Sequence, residues 1–174
     1  MNKAFTKEDA PEALLVIPPR APLPPGVPNY VTARGLAMLR AELAAVEAER
    51  ARINTDTSDD AERTRRLTIV NARLADLSAR VAGAQLVDPK TQAHDEVRFG
   101  ATVTLRTRHG EGAGEERRFT IVGVDEAAPG EGYVAFLSPI ARAVLGLRVG
   151  ETATLRTAAG EEELAVAAIS YAVD

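Results

Sequence analysis

Residues 36–53, LAMLRAELAAVEAERARI, and residues 67–84, LTIVNARLADLSARVAGA, decide the fold of this chain. In each stretch the spacing between hydrophobic positions alternates between three and four residues, which is the a/d seam of a coiled coil. The seam positions are Leu36, Leu39, Leu43, Val46, Arg50 and Ile53, then Leu67, Val70, Leu74, Leu77, Val81 and Ala84. Arg50 interrupts the first seam. Most other positions hold Ala, Glu, Arg or Leu, which all favour helices.

The segment that joins the two seams, residues 54–60, is poor in apolar residues and rich in turn and capping residue types. Thr32 is a candidate N-cap for the first helix, and Ser58 or Asp59 for the second. Two helices joined by so short a turn must run antiparallel. We therefore predict one helical hairpin over residues 30–88. The alternative, two helices of a larger bundle, would need a third helical segment with a wide apolar face, and the sequence lacks one.

From about Val97 the hydrophobic period changes to two, which is typical of strands. The predicted strands cover residues 97–107, 117–124, 132–137, 152–157 and 162–170. One short helix interrupts them, with Ser138 as its N-cap, Pro139 in its first turn and Gly146 at its end. These patterns predict an α+β fold, in which residues 97–174 form a small antiparallel sheet domain with one helix. The boundary between hairpin and sheet falls near residues 89–96.

Composition limits the class of protein. The net charge of −4 argues against a basic protein that wraps nucleic acid, and 4% aromatic residues argue against a wide base-stacking surface. The absence of cysteine excludes disulfides and fits a reducing cytoplasm. The apolar run at residues 14–17 is too short for a membrane span or a signal-peptide core. We therefore expect a cytoplasmic protein with no membrane partner.

Residues 1–29 form a separate segment, because seven of the ten prolines lie there. Proline fixes φ and removes a backbone donor, so this spacing predicts an extended, polyproline-like arm. Two interpretations stay open. The arm is a flexible leader, or it docks its apolar residues 14–17 onto the body of the protein or onto a partner.

Motifs for self-contained catalysis are missing from the sequence: it has no P-loop, no dinucleotide-binding glycine pattern and no nucleophile elbow. The charged feature that stands out is the hairpin turn, where four carboxylates precede three arginines. These residues are Asp56, Asp59, Asp60 and Glu62, then Arg63, Arg65 and Arg66. Acids here serve as helix caps and complement the helix dipole. At the end of a long rod, however, two of them could complete a weak Mg²⁺ site and orient a water inside another protein's active site.

Six stretches of the sequence resemble one known family. They are NYVTARGLAMLRAEL (29–43), AQLVD (84–88), FGATVTLR (99–106), RRFTIVGVDEA (117–127), LSPIARAVLG (137–146) and VGETATLRTAAGEEELAVAAISY (149–171). In these six stretches, and in the order of hairpin and sheet, the chain resembles the GreA and GreB transcript-cleavage factors over roughly residues 29–171. We expect AQLVD to form the end of the second helix. The resemblance implies an FKBP-like C-terminal domain that binds bacterial RNA polymerase at the rim of its secondary channel, with the coiled coil inside the channel.

The resemblance also implies roles for particular residues. The family's tip pattern, D-x-x-[DE]-N-A-[DE], matches residues 56–62 with Asp60 in place of the Asn. It implies that Asp56 and Asp59 direct a metal and a water at the nascent RNA 3′ end, and that the polymerase itself holds most of the Mg²⁺ coordination. Arg63, Arg65 and Arg66 then face the RNA or form a solvated helix face. The implied docking surface consists of Asp125, Ser138, Pro139, Ile140 and Arg142. The chain would be a monomeric accessory factor with no cofactor of its own, not an enzyme.

One departure leaves the function open. The hairpin is roughly a dozen residues shorter than is typical of the resembled family, or about 9 Å per arm at 1.5 Å per residue. A cleavage factor is one hypothesis. A Rnk-like regulator that binds polymerase and tunes or inhibits it without cleavage is the alternative. A third, a free-standing prolyl isomerase, would need an aromatic-lined pocket, and several aromatic residues of the C-terminal half are expected in the core instead.

Overall fold

The computed structural model describes residues 22–57 and 59–171, and it confirms the predicted hairpin. Helix α1 (Ala33–Thr55) and helix α2 (Asp60–Ala82) each have 23 residues and pack against one another. Residues 1–21 of the predicted arm, with its apolar run at 14–17, lie outside the described residues, as does the candidate cap Ser58. None of the helices within the described ranges is long and apolar enough to cross a membrane.

The hairpin is held together along the seam that the sequence predicts. Its buried residues are Val31, Leu39, Val46, Ile53, Val70, Leu74 and Leu77, and Leu36, Leu43, Leu67, Val81 and Ala84 pack against them. Arg50, the interruption, is exposed. Thr32 caps α1 as predicted, because its hydroxyl accepts a hydrogen bond from the Gly35 N–H at 2.9 Å. A narrow apolar seam of this kind stabilises the two helices only as a pair, since neither has enough apolar surface to fold alone.

A small parallel ribbon at the base of the hairpin corrects one expectation. Strand β1 (Asn29–Val31) runs into α1, and strand β2 (Ala84–Leu86) follows α2. The two strands pair in parallel, with Val31 opposite Leu86. The stretch AQLVD was expected as the end of the second helix, but α2 stops at Ala82 and the chain turns extended after Gly83. The segment before α1 and the segment after α2 are therefore hydrogen-bonded to each other.

The C-terminal domain is a five-stranded sheet with β3 at its centre. Its strands are β3 (Ala101–His109), β4 (Glu116–Val122), β5 (Tyr133–Ala135), β6 (Thr152–Thr157) and β7 (Gly160–Tyr171), in the order β5-β4-β3-β7-β6. The pairs of β3 with β4, β3 with β7 and β6 with β7 are antiparallel, as predicted. Strand β5 pairs in parallel with β4, so the sheet is mostly, not wholly, antiparallel. The parallel pair needs a crossover, and the short turns at residues 123–132 supply it.

Helix α3 (Pro139–Val144) covers one face of this sheet. Ser138 accepts a hydrogen bond from the Ala141 N–H, and Pro139 occupies the first turn, as predicted. Ala141 and Val144 are fully buried against core residues of β3, β4 and β7. The other face of α3 remains available at the surface, where Pro139 and Arg142 are exposed.

Replacing a seam residue should unfold the hairpin far more than replacing the arginine in the seam. Leu39→Ala removes a side chain that is 2% exposed and should lower the free energy of unfolding by about 2–5 kcal/mol. Arg50→Ala, the matched control, should change it by no more than about 0.5 kcal/mol because Arg50 is exposed. Urea denaturation followed by circular dichroism at a helical wavelength measures both. Equal losses would show that the seam does not run through Leu39.

Candidate functional site

The hairpin tip is a four-residue turn between two helix ends. Helix α1 ends at Thr55 and α2 begins at Asp60. Asp56 is the C-cap of α1, and its N–H donates to the Ile53 carbonyl at 3.2 Å. A carboxylate at a helix C-terminus is unfavourable to the helix dipole, so a nearby cation stabilises Asp56 in this position.

Two arginines from the first turns of α2 supply this compensation. The guanidinium of Arg66 pairs with the Asp56 carboxylate, with Nη1 and Oδ2 2.9 Å apart. Arg63 donates to the Asp56 carbonyl at 3.2 Å and also pairs with the Asp60 carboxylate. Both arginines therefore reach back across the turn and hold the end of α1.

Asp59 differs from the other acids of the tip. It occupies the N-cap position of α2 and is exposed, but its carboxylate makes no capping hydrogen bond. Within residues 22–57 and 59–171, we find no ion-pair partner for it, whereas Glu62 pairs with Arg65 at 3.5 Å. Asp59 is therefore the tip carboxylate that is most available to an outside ligand.

The donor set at the tip suits a shared metal site better than a complete one. Mg²⁺ prefers octahedral oxygen ligands and usually takes only one or two protein carboxylates. In the part of the chain that the structure describes, no group of three or more His, Cys, Asp or Glu side chains is placed to hold a metal. The tip offers Asp59, together with Asp56, whose carboxylate is shared with Arg66. Two carboxylates supply at most part of a metal's ligands, so a magnesium site shared with a partner stays a prediction.

The three arginines predicted to face RNA all take part in ion pairs with tip acids. Arg63, Arg65 and Arg66 contact Asp60, Glu62 and Asp56 respectively, and their side chains remain 33–56% exposed. Exposed pairs of this type are worth about 0–1 kcal/mol, so a nucleic-acid phosphate can compete for the guanidinium groups. Contact with RNA stays a prediction for all three.

The predicted docking residues separate into two places. Ser138, Pro139, Ile140 and Arg142 lie together at the start of α3, with Pro139 and Arg142 exposed. Asp125 lies in the turn after β4, and its side chain is only 7% exposed. Its Oδ2 lies 3.3 Å from Nε of Arg80 in α2, which is an ion pair without hydrogen-bond geometry at that oxygen. The first four can form one continuous surface patch. The carboxylate of Asp125 faces the hairpin instead.

The neighbouring acid, Glu126, was not singled out from the sequence. Its side chain is 3% exposed and contacts the start of α1, where its carboxylate accepts from the Thr32 hydroxyl at 2.5 Å and from Arg34 Nη1 at 3.1 Å. The Arg34 guanidinium also stacks 4.1 Å from the Tyr133 ring centre. The sequence shows two acids after a buried strand, but their partners are 45 residues or more away along the chain, beyond any local pattern.

Aromatic residues of the C-terminal half serve packing. Phe99, Phe119 and Phe136 are buried, and the Tyr30 ring from β1 lies 5.9 Å from Phe99 and 5.7 Å from Phe136. A cavity of about 490 Å³ beside the hairpin base has Tyr133 in its lining, along with Arg34 and Glu126. This lining does not form the aromatic pocket that a prolyl isomerase would need.

Comparison with known proteins decides the family. The family model described as "Transcription elongation factor, GreA/GreB, C-term" matches residues 92–171. GreA from a Nitratiruptor species is 37% identical over 128 residues, which cover 72% of this chain and 77% of that protein. The chain belongs to the GreA/GreB family. GreB from Neisseria meningitidis serogroup A is 33% identical over 157 residues, which cover 82% of this chain and 94% of that protein.

Among solved structures, the GreA/GreB factor from Nitrosomonas europaea is 20% identical and aligns with a TM-score of 0.40. The alignment covers 83% of this chain and 99% of that one. The sequence relatives carry the assignment to the GreA/GreB family, because the matches cover more than two thirds of this chain and of each relative.

Removal of Arg63 should loosen the tip without unfolding the hairpin. Arg63→Ala loses the bond to the Asp56 carbonyl and the pair with Asp60, so the Asp56 amide should exchange with solvent about two- to fivefold faster. Arg73→Ala is the control, because it breaks an exposed cross-hairpin pair with Glu49 far from the turn. Hydrogen exchange followed by NMR measures both. Equal rates at Asp56 in Arg63→Ala and wild type would contradict a holding role for Arg63.

Proposed function

We propose that this GreA/GreB family member binds bacterial RNA polymerase and stimulates the polymerase's own cleavage of backtracked RNA. In this proposal the chain is an accessory factor, and its hairpin enters the secondary channel. The observation that carries it is the exposed Asp59 at the far end of a rod that is anchored on a folded domain. Family membership supports the link to transcription elongation.

The length and stiffness of the hairpin support action at a distance. Two helices of 23 residues extend about 35 Å at 1.5 Å per residue. The apolar seam, interrupted only at Arg50 among its predicted positions, keeps the two arms together over that length. A rod of this kind can carry a side chain from a docking surface into a buried catalytic centre.

The chemistry assigned to the tip is limited to positioning. A metal held mainly by the polymerase would activate a water and stabilise charge on the RNA phosphate. Asp59 would orient this water or complete the metal's coordination, and Asp56 would assist it from its place beside Arg66. Arg63, Arg65 and Arg66 would then shift from the tip acids toward phosphates of the nascent RNA 3′ end.

Docking is assigned to the patch at the start of α3. Ser138 and Pro139 fix the first turn, Arg142 presents a cationic group, and Ile140, which packs against the core, leaves part of its apolar side chain at the surface. A mixed patch of this kind suits a partner surface that combines an apolar contact with an acidic side chain.

A second candidate is a regulator that occupies the channel without stimulating cleavage. One observation favours it: the carboxylates of Asp56, Asp60 and Glu62 are already paired with arginines. The shortfall of about 9 Å per arm that the resemblance implies would also exceed the separation of about 3.5–4 Å between the ions of two-metal sites.

The double substitution Asp56→Ala with Asp59→Ala should abolish RNA shortening in stalled, backtracked complexes. Polymerase affinity should stay within about threefold of wild type, because binding is assigned to α3 and an affinity ratio of about three is under about 1 kcal/mol. Arg142→Ala is the complementary variant and should weaken binding while leaving the tip intact. RNA length on denaturing gels and polymerase affinity by fluorescence anisotropy give the two readouts.

The outcomes separate the two candidates. Wild-type protein that binds polymerase but shortens no RNA at any Mg²⁺ concentration would establish the non-cleaving regulator. Cleavage by the double variant at the wild-type rate would show that the tip acids are wrongly assigned. Wild-type protein that fails to bind polymerase at all would end both proposals.

A further inference from the structure

The base of the hairpin contains two consecutive buried carboxylates, Asp125 and Glu126, which lie in the turn after β4 and each contact a different helix. Asp125 pairs with Arg80 in the last turn of α2, and both side chains are less than 10% exposed. Glu126 contacts Thr32 and Arg34 at the first turn of α1. The turn after β4 therefore contacts the end of α2 through Asp125 and the start of α1 through Glu126.

We infer that Asp125 and Glu126 are positioning residues that fix the direction of the hairpin on the C-terminal domain. A single attachment would leave the rod free to swing about that point. Two attachments, one on each helix, remove this freedom. This inference rests on the proposed function only where it concerns RNA cleavage, and its structural part concerns the free protein.

The packing around both acids leaves little room for another arrangement. A Cβ atom placed on Gly35 of α1 would lie 2.6 Å from the Glu126 carboxylate, and one placed on Gly123 would lie 2.6 Å from the Tyr30 carbonyl. Asn29 of β1 donates to the Arg80 carbonyl at 2.9 Å, so the strand before α1 also holds the end of α2. At the base of the hairpin, close backbone and side-chain packing therefore accompanies the ion pairs.

Because the hairpin is long, a small change in its angle at the base displaces the tip by a large distance. A tilt of about 10° at one end of a lever of about 35 Å moves its far end by about 6 Å. Two-metal centres hold their ions only about 3.5–4 Å apart, so such a tilt would take Asp59 out of a shared site. Loss of either positioning residue should therefore affect cleavage more than binding.

This inference assigns Asp125 differently from the resemblance, which places it on the docking surface. A docking contact would lose polymerase affinity when changed and would leave the hairpin direction intact. A positioning residue would do the opposite. The two assignments thus predict opposite results for Asp125→Asn.

The test measures the direction of the hairpin in the free protein. The chain has no cysteine, so spin labels at Thr57→Cys on the tip and Thr154→Cys on β6 report one distance by double electron–electron resonance. Asp125→Asn and Glu126→Gln should each broaden the distance distribution or shift its centre by several ångströms. In unlabelled protein without the two cysteines, each should cut the rate of RNA shortening at least tenfold, with polymerase affinity within about threefold of wild type.

Glu162→Gln is the matched control. Glu162 is also a buried carboxylate in an ion pair, with Arg117 at 2.7 Å, but it lies within the sheet and away from the hairpin. It should lose stability without a change in the measured distance. Circular dichroism identifies any variant that is unfolded, and Arg80→Lys then serves as the milder change at the same pair.

Distances equal to wild type in folded Asp125→Asn and Glu126→Gln would overturn the inference. Loss of polymerase binding by Asp125→Asn with an unchanged distance would return Asp125 to the docking surface. A wild-type protein that does not stimulate cleavage would contradict the proposed function alone, because the distance measurement does not involve polymerase.

Discussion

The structure depends on one mechanical constraint: the two-helix hairpin must stay stiff and must keep a fixed direction relative to the sheet domain. Stiffness comes from the seam, where residues such as Leu39 and Val70 are almost fully buried. Direction comes from the base, where the parallel ribbon, the Tyr30 ring and two carboxylates join the hairpin to the sheet domain. Both features are needed. If either the hairpin or its attachment to the sheet domain were flexible, the position of the tip relative to the sheet domain would vary.

The charge pattern of the tip reflects two competing requirements. A turn that joins two helix ends is stabilised by cations near the end of α1 and by anions near the start of α2. Arg63, Arg66, Asp60 and Glu62 meet this local requirement. Chemistry in trans needs a carboxylate that is not used in this way. Asp59 is exposed and makes no capping bond, so the stabilised turn still presents one acid outward.

Most of the fold could be predicted from the sequence because its signals are local and periodic. The seam, the Thr32 cap and the short helix begun by Ser138 all follow from spacing within a few residues. The extended course of Ala84–Leu86 was missed because it depends on pairing with β1, 55 residues away, and the parallel placement of β5 was missed because alternation alone does not give strand direction. At the candidate site, the tip acids were found from their types, whereas Glu126 and Arg80 were not, because their partners lie far along the chain.

The most direct test places a chemical probe at the hairpin tip in a complex of this protein with RNA polymerase. Thr57→Cys gives a unique attachment point in this cysteine-free chain for an iron chelate that generates hydroxyl radicals. In a backtracked complex, scission should map to the RNA near the 3′ end and to the polymerase segments that hold its catalytic metal. Scission confined to the outer rim of the channel, with the RNA intact, would contradict delivery of the tip to the catalytic centre.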